Sequence, residues 1–363
     1  MHSFTKRAIT VLFPLAMIAA PASMLLPVEP VEIENRRLSP PEISVDRLTE
    51  LAFYLETMNY VSTANPLRTI LIRVGAGLDY WVFDDSPDPT RVLKGTGAWL
   101  YYRPTIEEAC LFPPGVVGRN VFDFVTLLEE DVPTVVFTVA PSKFVIHPEH
   151  LNADQTRFAE CARASGKQLR EVLATASIEH YVDGWEIFEA QKADGVQPYF
   201  LTDTHFNFEG SIPWMKALID EIAPVWDPDD VRDLGQTNWL GNLMRFIGLE
   251  EPENVTHLVV DRALEDELVE STPDVRHYRH TSMVTPLVRG SALVIGDSFM
   301  ELPEPSLVQY FEEVTVVDWR DHEGVEYFMS HAKSSDVVII EISELDIWRL
   351  FADRKHVDDY QSR

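Results

Sequence analysis

Positive charge is scarce in this chain: 30 Lys and Arg stand against 59 Asp and Glu in 363 residues, a formal net charge of −29. That shortage argues against nucleic acid as a partner, because phosphate binding needs clustered Lys and Arg. It also disfavours docking on anionic lipid through electrostatics alone. Cysteine is nearly absent, with Cys110 and Cys161 the two present. Two thiols cannot hold a metal ion by themselves, and no His pair sits at ligand spacing near them, so the reading is of no metal and no zinc or iron enzyme. In an exported protein the two form one disulfide or remain free, and both states stay open. Internal repeats and low-complexity tracts are missing, which excludes solenoids and arrays. What is there, 45% apolar and 25% charged residues, is the make-up of an ordinary globular protein. The length suits one large α/β domain or two smaller ones.

The N-terminus carries the one long uncharged apolar run. Lys6 and Arg7 precede Ala8 to Leu26, the basic and hydrophobic parts of an export signal. The run lies between a cleavable signal peptide and a membrane-spanning helix in length. Ala20-Pro21-Ala22 resembles a cleavage site, but Pro21 is poor for cleavage, which favours an uncleaved anchor over residues 1–26. Lys6 and Arg7 then stay cytoplasmic and the remainder lies outside, in the periplasm and tethered to the inner membrane. The alternative is a soluble periplasmic protein after signal cleavage. A buried core helix fits poorly, since Pro14, Pro21 and Pro27 would break it. Residues 27–45, rich in Pro and Glu, read as a linker.

Beyond the linker, residues 46–350 read as one catalytic domain, with 351–363 a C-terminal tail. Asp46 to Tyr60 has helical periodicity, with Leu48, Leu51, Ala52 and Leu55 on one face. Val92 to Tyr102 looks extended, and Val121 to Glu130 helical. Thr134 to Val139 is a buried-strand run. Helices are expected over Asp154 to Ala164, capped by Asn152 or Asp154, and over Lys167 to Leu173. Asp203 to Asn207 reads as a loop and Glu209 to Ile222 as a helix. Strands follow at Ala292–Ile295, Val314–Val317 and Val337–Ile340. Short apolar strands alternating with amphipathic helices imply an α/β fold, a mostly parallel sheet flanked by helices. Residues 226–288 are acidic and read as irregular, a candidate insertion or lid.

Two segments carry chemistry. Leu293-Val294-Ile295-Gly296-Asp297-Ser298-Phe299 is an apolar run ending in Gly-Asp-Ser, which delivers a serine onto a sharp turn at the end of a strand. Parallel sheets form their sites beyond such strand ends. Thr202-Asp203-Thr204-His205-Phe206-Asn207 places a carboxylate two residues before a histidine. A hydroxyl is a poor nucleophile until a base accepts its proton, and an imidazole titrating near neutrality suits that task. The imidazole needs a carboxylate to fix its tautomer and stabilise its charged form. Ser298 is thus the candidate nucleophile, His205 the base and Asp203 the orienting acid, with the Ser298 N–H a candidate oxyanion donor. Asp297 shapes the turn. The bland alternatives are a plain Gly-Asp-Ser turn and a helix cap from Asp203 or Thr204. Arg320, after a predicted strand, is a candidate substrate-positioning residue; its alternative is an ion pair with Asp318, Asp321 or Glu323. Trp99, Trp185 and Trp214 read as packing residues before sugar-stacking ones.

These segments resemble the SGNH-hydrolase-like acetyltransferases of the alginate O-acetylation group, the AlgJ and AlgX type. That family pairs an Asp-Thr-His-Trp-type loop with a later Gly-Asp-Ser, reversing the motif order of ordinary SGNH esterases. Here Phe206 stands where Trp is usual. Val92 to Tyr101, with Gly95, Gly97, Trp99 and Leu100, is similar to an early family stretch. Ala140-Pro141-Ser142-Lys143 and Gly241-Asn242-Leu243 are similar to further landmarks. The resemblance spans roughly Leu51 to Trp348. It implies an SGNH-like fold with permuted motifs, the triad Ser298, His205 and Asp203, and no cofactor. It also implies acetyl transfer onto an exopolysaccharide from a membrane-bound O-acyltransferase as donor. No carbohydrate-binding module follows the domain, which is similar to the anchored single-domain members, and the esterases' oxyanion asparagine has no match. The acceptor is alginate-like or neutral, because a chain at −29 repels a polyuronate unless residues such as Lys94, Arg103, Lys143, Arg289 and Arg320 line the groove. The competing readings are a carbohydrate esterase with the same triad and a non-catalytic scaffold of an export complex.

Overall fold

Apolar runs without polar interruption become central strands when both of their faces are covered, and three such runs organise this chain. The computed structural model describes residues 40–44, 46–47, 50–262, 264–272, 275–282 and 286–362. The signal segment 1–26 and the linker up to residue 39 lie outside the described residues. The chain divides into two units, Met1–Lys94 with Asn242–Glu251, and Gly95–Gly241 with Pro252–Arg363.

In the first unit, helices Leu51–Thr63 and Pro66–Gly77 are followed by a π-helical turn, Leu78–Val82, and strand β1, Val92–Lys94. Asn65 caps the second helix, accepting from Leu67 and Arg68 N–H, with Pro66 supplying a preset φ at the first helical position. Arg73 pairs with Glu250 at 2.6 Å, and Trp81 Nε1 donates to Glu251 at 3.1 Å, so the short Asn242–Glu251 segment is tied to these helices. The first helix reverses its expected burial. Phe53 is buried, whereas Leu51, Tyr54, Leu55, Met58 and Val61 stand exposed along one flank. Among the described residues no helix is long and apolar enough to cross a membrane.

The second unit opens with strand β2, Leu100–Tyr102. Its strands then run β3 (Thr134–Ala140), β4 (His180–Val182), β5 (Val231–Trp239), β6 (Glu253–Val260), β7 (Glu265–Ser271), β8 (Val275–Thr281), β9 (Val288–Gly296), β10 (Phe311–Asp318) and β11 (Val337–Ser343). Seven of them form one sheet in the order β4-β3-β11-β9-β10-β8-β7. Pairings from β4 through β10 are parallel, and β8 and β7 close one edge antiparallel. β3, β9 and β11 lie adjacent, which is why Val135–Ala140, Ala292–Gly296 and all of β11 are buried. The fold is therefore mixed α/β, with a mostly parallel sheet flanked by helices.

The helices differ from the sequence pattern where a close contact overrides it. The helix expected from Val121 begins at Pro114, again with proline at its start, and buries Val117, Val121, Phe124, Val125 and Leu128 as one stripe. The break expected at Ser165-Gly166 lies instead at Ala159, between helices Ala153–Phe158 and Glu160–Thr175. Gly166 lies inside the second of these helices, and a Cβ there would come 2.3 Å from Glu344 Oε1; the glycine admits a neighbour and does not end a helix. Asn152 makes a full capping box with Gln155. Residues 226–288 are not irregular: they supply β5 to β8, with β5 and β6 paired to each other and β7 and β8 at the sheet edge. Cys110 and Cys161 are bridged, with Cα atoms 5.8 Å apart.

Candidate active site

Asp203 and His205 arrive on one tight loop. Tyr199 and Phe206 form an antiparallel bridge across its base, and Asn207 N–H donates to Pro198 O at 2.9 Å. Asn207, and neither Asp203 nor Thr204, caps helix Phe208–Ile222 through Gly210 N–H. Asp203 instead faces the imidazole. Its Oδ1 lies 2.7 Å from His205 Nδ1 and accepts His205 N–H at 3.2 Å. Its Oδ2 accepts the Trp239 indole N–H at 3.1 Å. Trp239 is held for that role by stacking on Phe200, with ring centroids 4.7 Å apart at 7°.

Two charges, buried Lys143 and half-buried Glu253, grip the same loop from opposite chemical sides. Lys143 Nζ donates to the carbonyls of Phe200 (3.0 Å), Leu201 (2.9 Å) and Asp203 (2.7 Å), matching each ammonium hydrogen to an oxygen. Glu253 accepts Leu201 N–H and Thr202 N–H at 2.8 Å each and the Thr202 hydroxyl at 2.6 Å. Burial pushes Lys143 down to about 7, against the charges of Asp203 and Glu253. Burial also pulls the His205 imidazole down, yet the hydrogen bond and charge of Asp203, with Asp297 and Glu301, outweigh it and hold His205 above its ordinary value.

Ser298 stands at the C-terminal end of β9, half-buried in the turn that follows Gly296. A Cβ at Gly296 would come 2.7 Å from Met300 Cβ and 2.9 Å from Glu341 Oε2, so the turn closes only around a glycine. Asp297 shapes this turn, as expected: its carboxylate accepts Phe299 N–H at 2.9 Å and Ser343 N–H at 2.7 Å, tying the turn to β11. Beneath it, Glu341 accepts Asp297 N–H at 2.9 Å, and burial first and the Asp297 charge second hold Glu341 well above the usual carboxyl range. Phe299 carries the turn to the dyad, its ring 4.7 Å from the His205 ring and 5.5 Å from Phe206. Among the described residues the Ser298 hydroxyl and His205 share no hydrogen bond. A cleft lined by residues that include Tyr101, Ser142, Lys143, Phe144, Thr204 and Phe299 opens beside this loop and turn.

The other candidates are engaged in pairs or packing. Arg320 is bound to Asp318 at 2.9 Å and to Glu301 at 2.6 Å, the ion-pair arrangement with one partner the sequence does not suggest. Lys143 borders the cleft, but its ammonium is committed to three carbonyls of the loop, and Arg103 pairs with Glu107 at 2.8 Å. Lys94 is likewise buried and paired with Asp84. Trp99, Trp185 and Trp214 are buried and pack the interior. Sequence reasoning passes over Glu253 and Trp239 because both lie in the acidic stretch without apolar alternation. Lys143 stands out in the sequence as the charged end of an Ala-Pro-Ser-Lys run and as a candidate groove cation, and nothing there points to its grip on the Asp203 loop.

No protein-family profile matches the sequence, and no curated protein matches it. Solved structures do match. The O-acetyltransferase domain of Pseudomonas putida AlgJ superposes with a TM-score of 0.51 at 16% identity, over 75% of this chain and 99% of that one. A DHHW family protein from Eubacterium siraeum gives 0.49 at 13%, covering 69% and 89%. Bacillus cereus PatB1, solved with a sulfonyl adduct, gives 0.47 at 14%, covering 70% and 97%. At such identities what is shared is the fold, and the first of these carries the likeness.

Proposed function

We propose that this chain is an exported O-acetyltransferase that carries an acetyl group on Ser298 and delivers it to a hydroxyl of an exopolysaccharide. The observation that carries the reading is the 2.7 Å contact between Asp203 and His205 on a loop whose imidazole packs against Phe299, the residue after Ser298. In the first half-reaction His205 accepts the Ser298 proton as the oxygen attacks the acetyl carbonyl of the donor. The donor's leaving group takes that proton, and an acetyl-serine ester remains. In the second, His205 accepts the proton of a sugar hydroxyl, which attacks the ester, and returns it to Ser298 as the serine leaves. Asp203 holds Nδ1 so that Nε2 is the working nitrogen. The Ser298 N–H is the oxyanion donor within the turn. Catalytic hydrogen bonds often form fully only with substrate bound, which fits the absence of a serine–imidazole bond here.

The test is intact-protein mass spectrometry after incubation with a chromogenic acetyl ester, with and without an oligosaccharide. Wild type is expected to carry one acetyl group on Ser298, Ser298→Ala none, and the oligosaccharide to become acetylated. Acetate release with no acetylated sugar would make the chain an esterase. An inert wild type would make it a scaffold and end the proposal.

The donor in this reading is a membrane-bound O-acyltransferase, and the chain works at the periplasmic face of the inner membrane. The apolar run of residues 8–26 and the exposed flank of Leu51, Tyr54, Leu55, Met58 and Val61 both suit a chain held against lipid. Expressed with its own N-terminus, the protein is expected in the membrane fraction, resistant to high salt and released by detergent. Recovery in a periplasmic extract without residues 1–26 would instead show a cleaved signal.

A further inference from the structure

We infer that His147, Glu149 and His150 form a binding site for a divalent transition-metal ion of the zinc class. The three lie on the turn formed by helix Lys143–Ile146 and the 3-10 turn Pro148–His150, and their ligand atoms all lie within 4.8 Å of one another. Glu149 Oε1 stands 3.1 Å from His147 Nδ1 and 3.7 Å from His150 Nε2. Ligands of a tetrahedral zinc ion with bonds near 2.0–2.1 Å sit roughly 3.4 Å apart. The carboxylate oxygen is therefore already at ligand spacing from both imidazoles.

The rings are held in place before any ion arrives. Trp99 stacks on His150 with centroids 4.2 Å apart at 10°, and its ring lies 4.6 Å from that of His147. The Thr96 hydroxyl is 3.3 Å from His150 Nδ1, which leaves Nε2 to face the carboxylate. An outer oxygen on one ring nitrogen, fixing the other for the ion, is the usual support of a metal-binding histidine, and here a hydroxyl supplies it. Lys192 Nζ takes the second carboxylate oxygen, Oε2, at 2.7 Å and Ile146 O at 2.6 Å, so Oε1 remains turned toward the imidazoles. The Lys192 charge opposes a cation, whereas the net charge of −29 draws cations to the chain.

Donor chemistry selects the ion. Two imidazole nitrogens and one carboxylate suit zinc, nickel or copper; magnesium and calcium prefer all-oxygen shells. Three protein ligands leave a further position for water or a ligand from outside. The same turn leads from Lys143, so the ion would clip the segment whose first residue grips the Asp203 loop. This site is independent of whether Ser298 performs acyl chemistry.

The test is calorimetric titration of the full-length chain, stripped with chelator, using Zn2+, and Co2+ for its visible absorption. One equivalent is expected to bind, with the absorption of four-coordinate Co2+. His150→Ala and Glu149→Gln are each expected to weaken binding by at least about tenfold, since loss of even an outer partner costs that much. Both side chains are part-exposed, and circular dichroism confirms that the variants fold. His180→Ala, at an imidazole–carboxylate pair with Glu221 elsewhere, is expected to leave the affinity unchanged. No saturable binding, or an affinity that His150→Ala leaves as it was, overturns the assignment.

Discussion

Replacing Asp203 by asparagine is expected to lower kcat/KM for acetyl transfer by about 10⁴-fold while the protein stays folded. The carboxylate does two things that an amide cannot do together. It accepts from His205 Nδ1 and from the Trp239 indole, and its charge stabilises the imidazolium formed when serine or sugar gives up a proton. An asparagine can point its oxygen at only one donor, and the amide hydrogens then turn the imidazole toward the wrong tautomer. The pH profile supplies a second readout. With Asp203 present His205 titrates above its ordinary value, so activity rises with pH only as the imidazole loses its proton there. In Asp203→Asn the largest raising interactions are lost, those of Asp297 and Glu301 remain and burial still lowers, so the acid limb moves to lower pH. An acid limb that does not move would show that some other group is the base.

Lys143→Met is expected to cut kcat by about 10²-fold, with a smaller change in KM. The methionine fills the space but withdraws a donor from three carbonyls of the loop, and a shift of roughly 1 Å in a catalytic group is enough for such a loss. Among the described residues the Phe200 carbonyl keeps no other donor, whereas that of Leu201 keeps Leu100 N–H. A stability cost of about 2 kcal/mol follows from the unmet oxygens. A purely structural lysine would produce that cost and nothing more; pH separates the cases. Burial sets the ammonium at about 7. Above that value a neutral amine has two hydrogens for three carbonyls, so wild-type activity is expected to decline on the basic side. Lys143→Met, lower throughout, is expected to lack that decline. A methionine variant with wild-type kcat, or one that keeps the basic limb, removes Lys143 from the positioning of Asp203.

The parts of this molecule that the sequence discloses are those whose information is local. Strands β3, β9 and β11 are continuous apolar runs, and their neighbours in the sheet change nothing about that signature. The Asp203–His205 pair lies two residues apart, so its meeting needs only a turn. Lys143, Trp239 and Glu253 reach the loop from 36 to 60 residues away and are tied to it by backbone and side-chain polar atoms. No periodicity records such contacts. Residues 226–288 hide their strands for a related reason: β5 is exposed or half-buried along its length, so the alternation that marks a strand never develops. At Gly166 a residue type that usually punctuates a helix serves the approach of Glu344 instead.

Because carboxylate and imidazole share one short loop, the proposed triad takes two of its three groups from a single local module. Only the hydroxyl must be brought in from another segment, and it comes on a strand end whose turn closes on itself around Gly296. Neither module depends on preceding the other. Chemistry therefore leaves the order of base and nucleophile along the polypeptide unconstrained, and a rearranged gene that transposed the two would still assemble the same reactive centre.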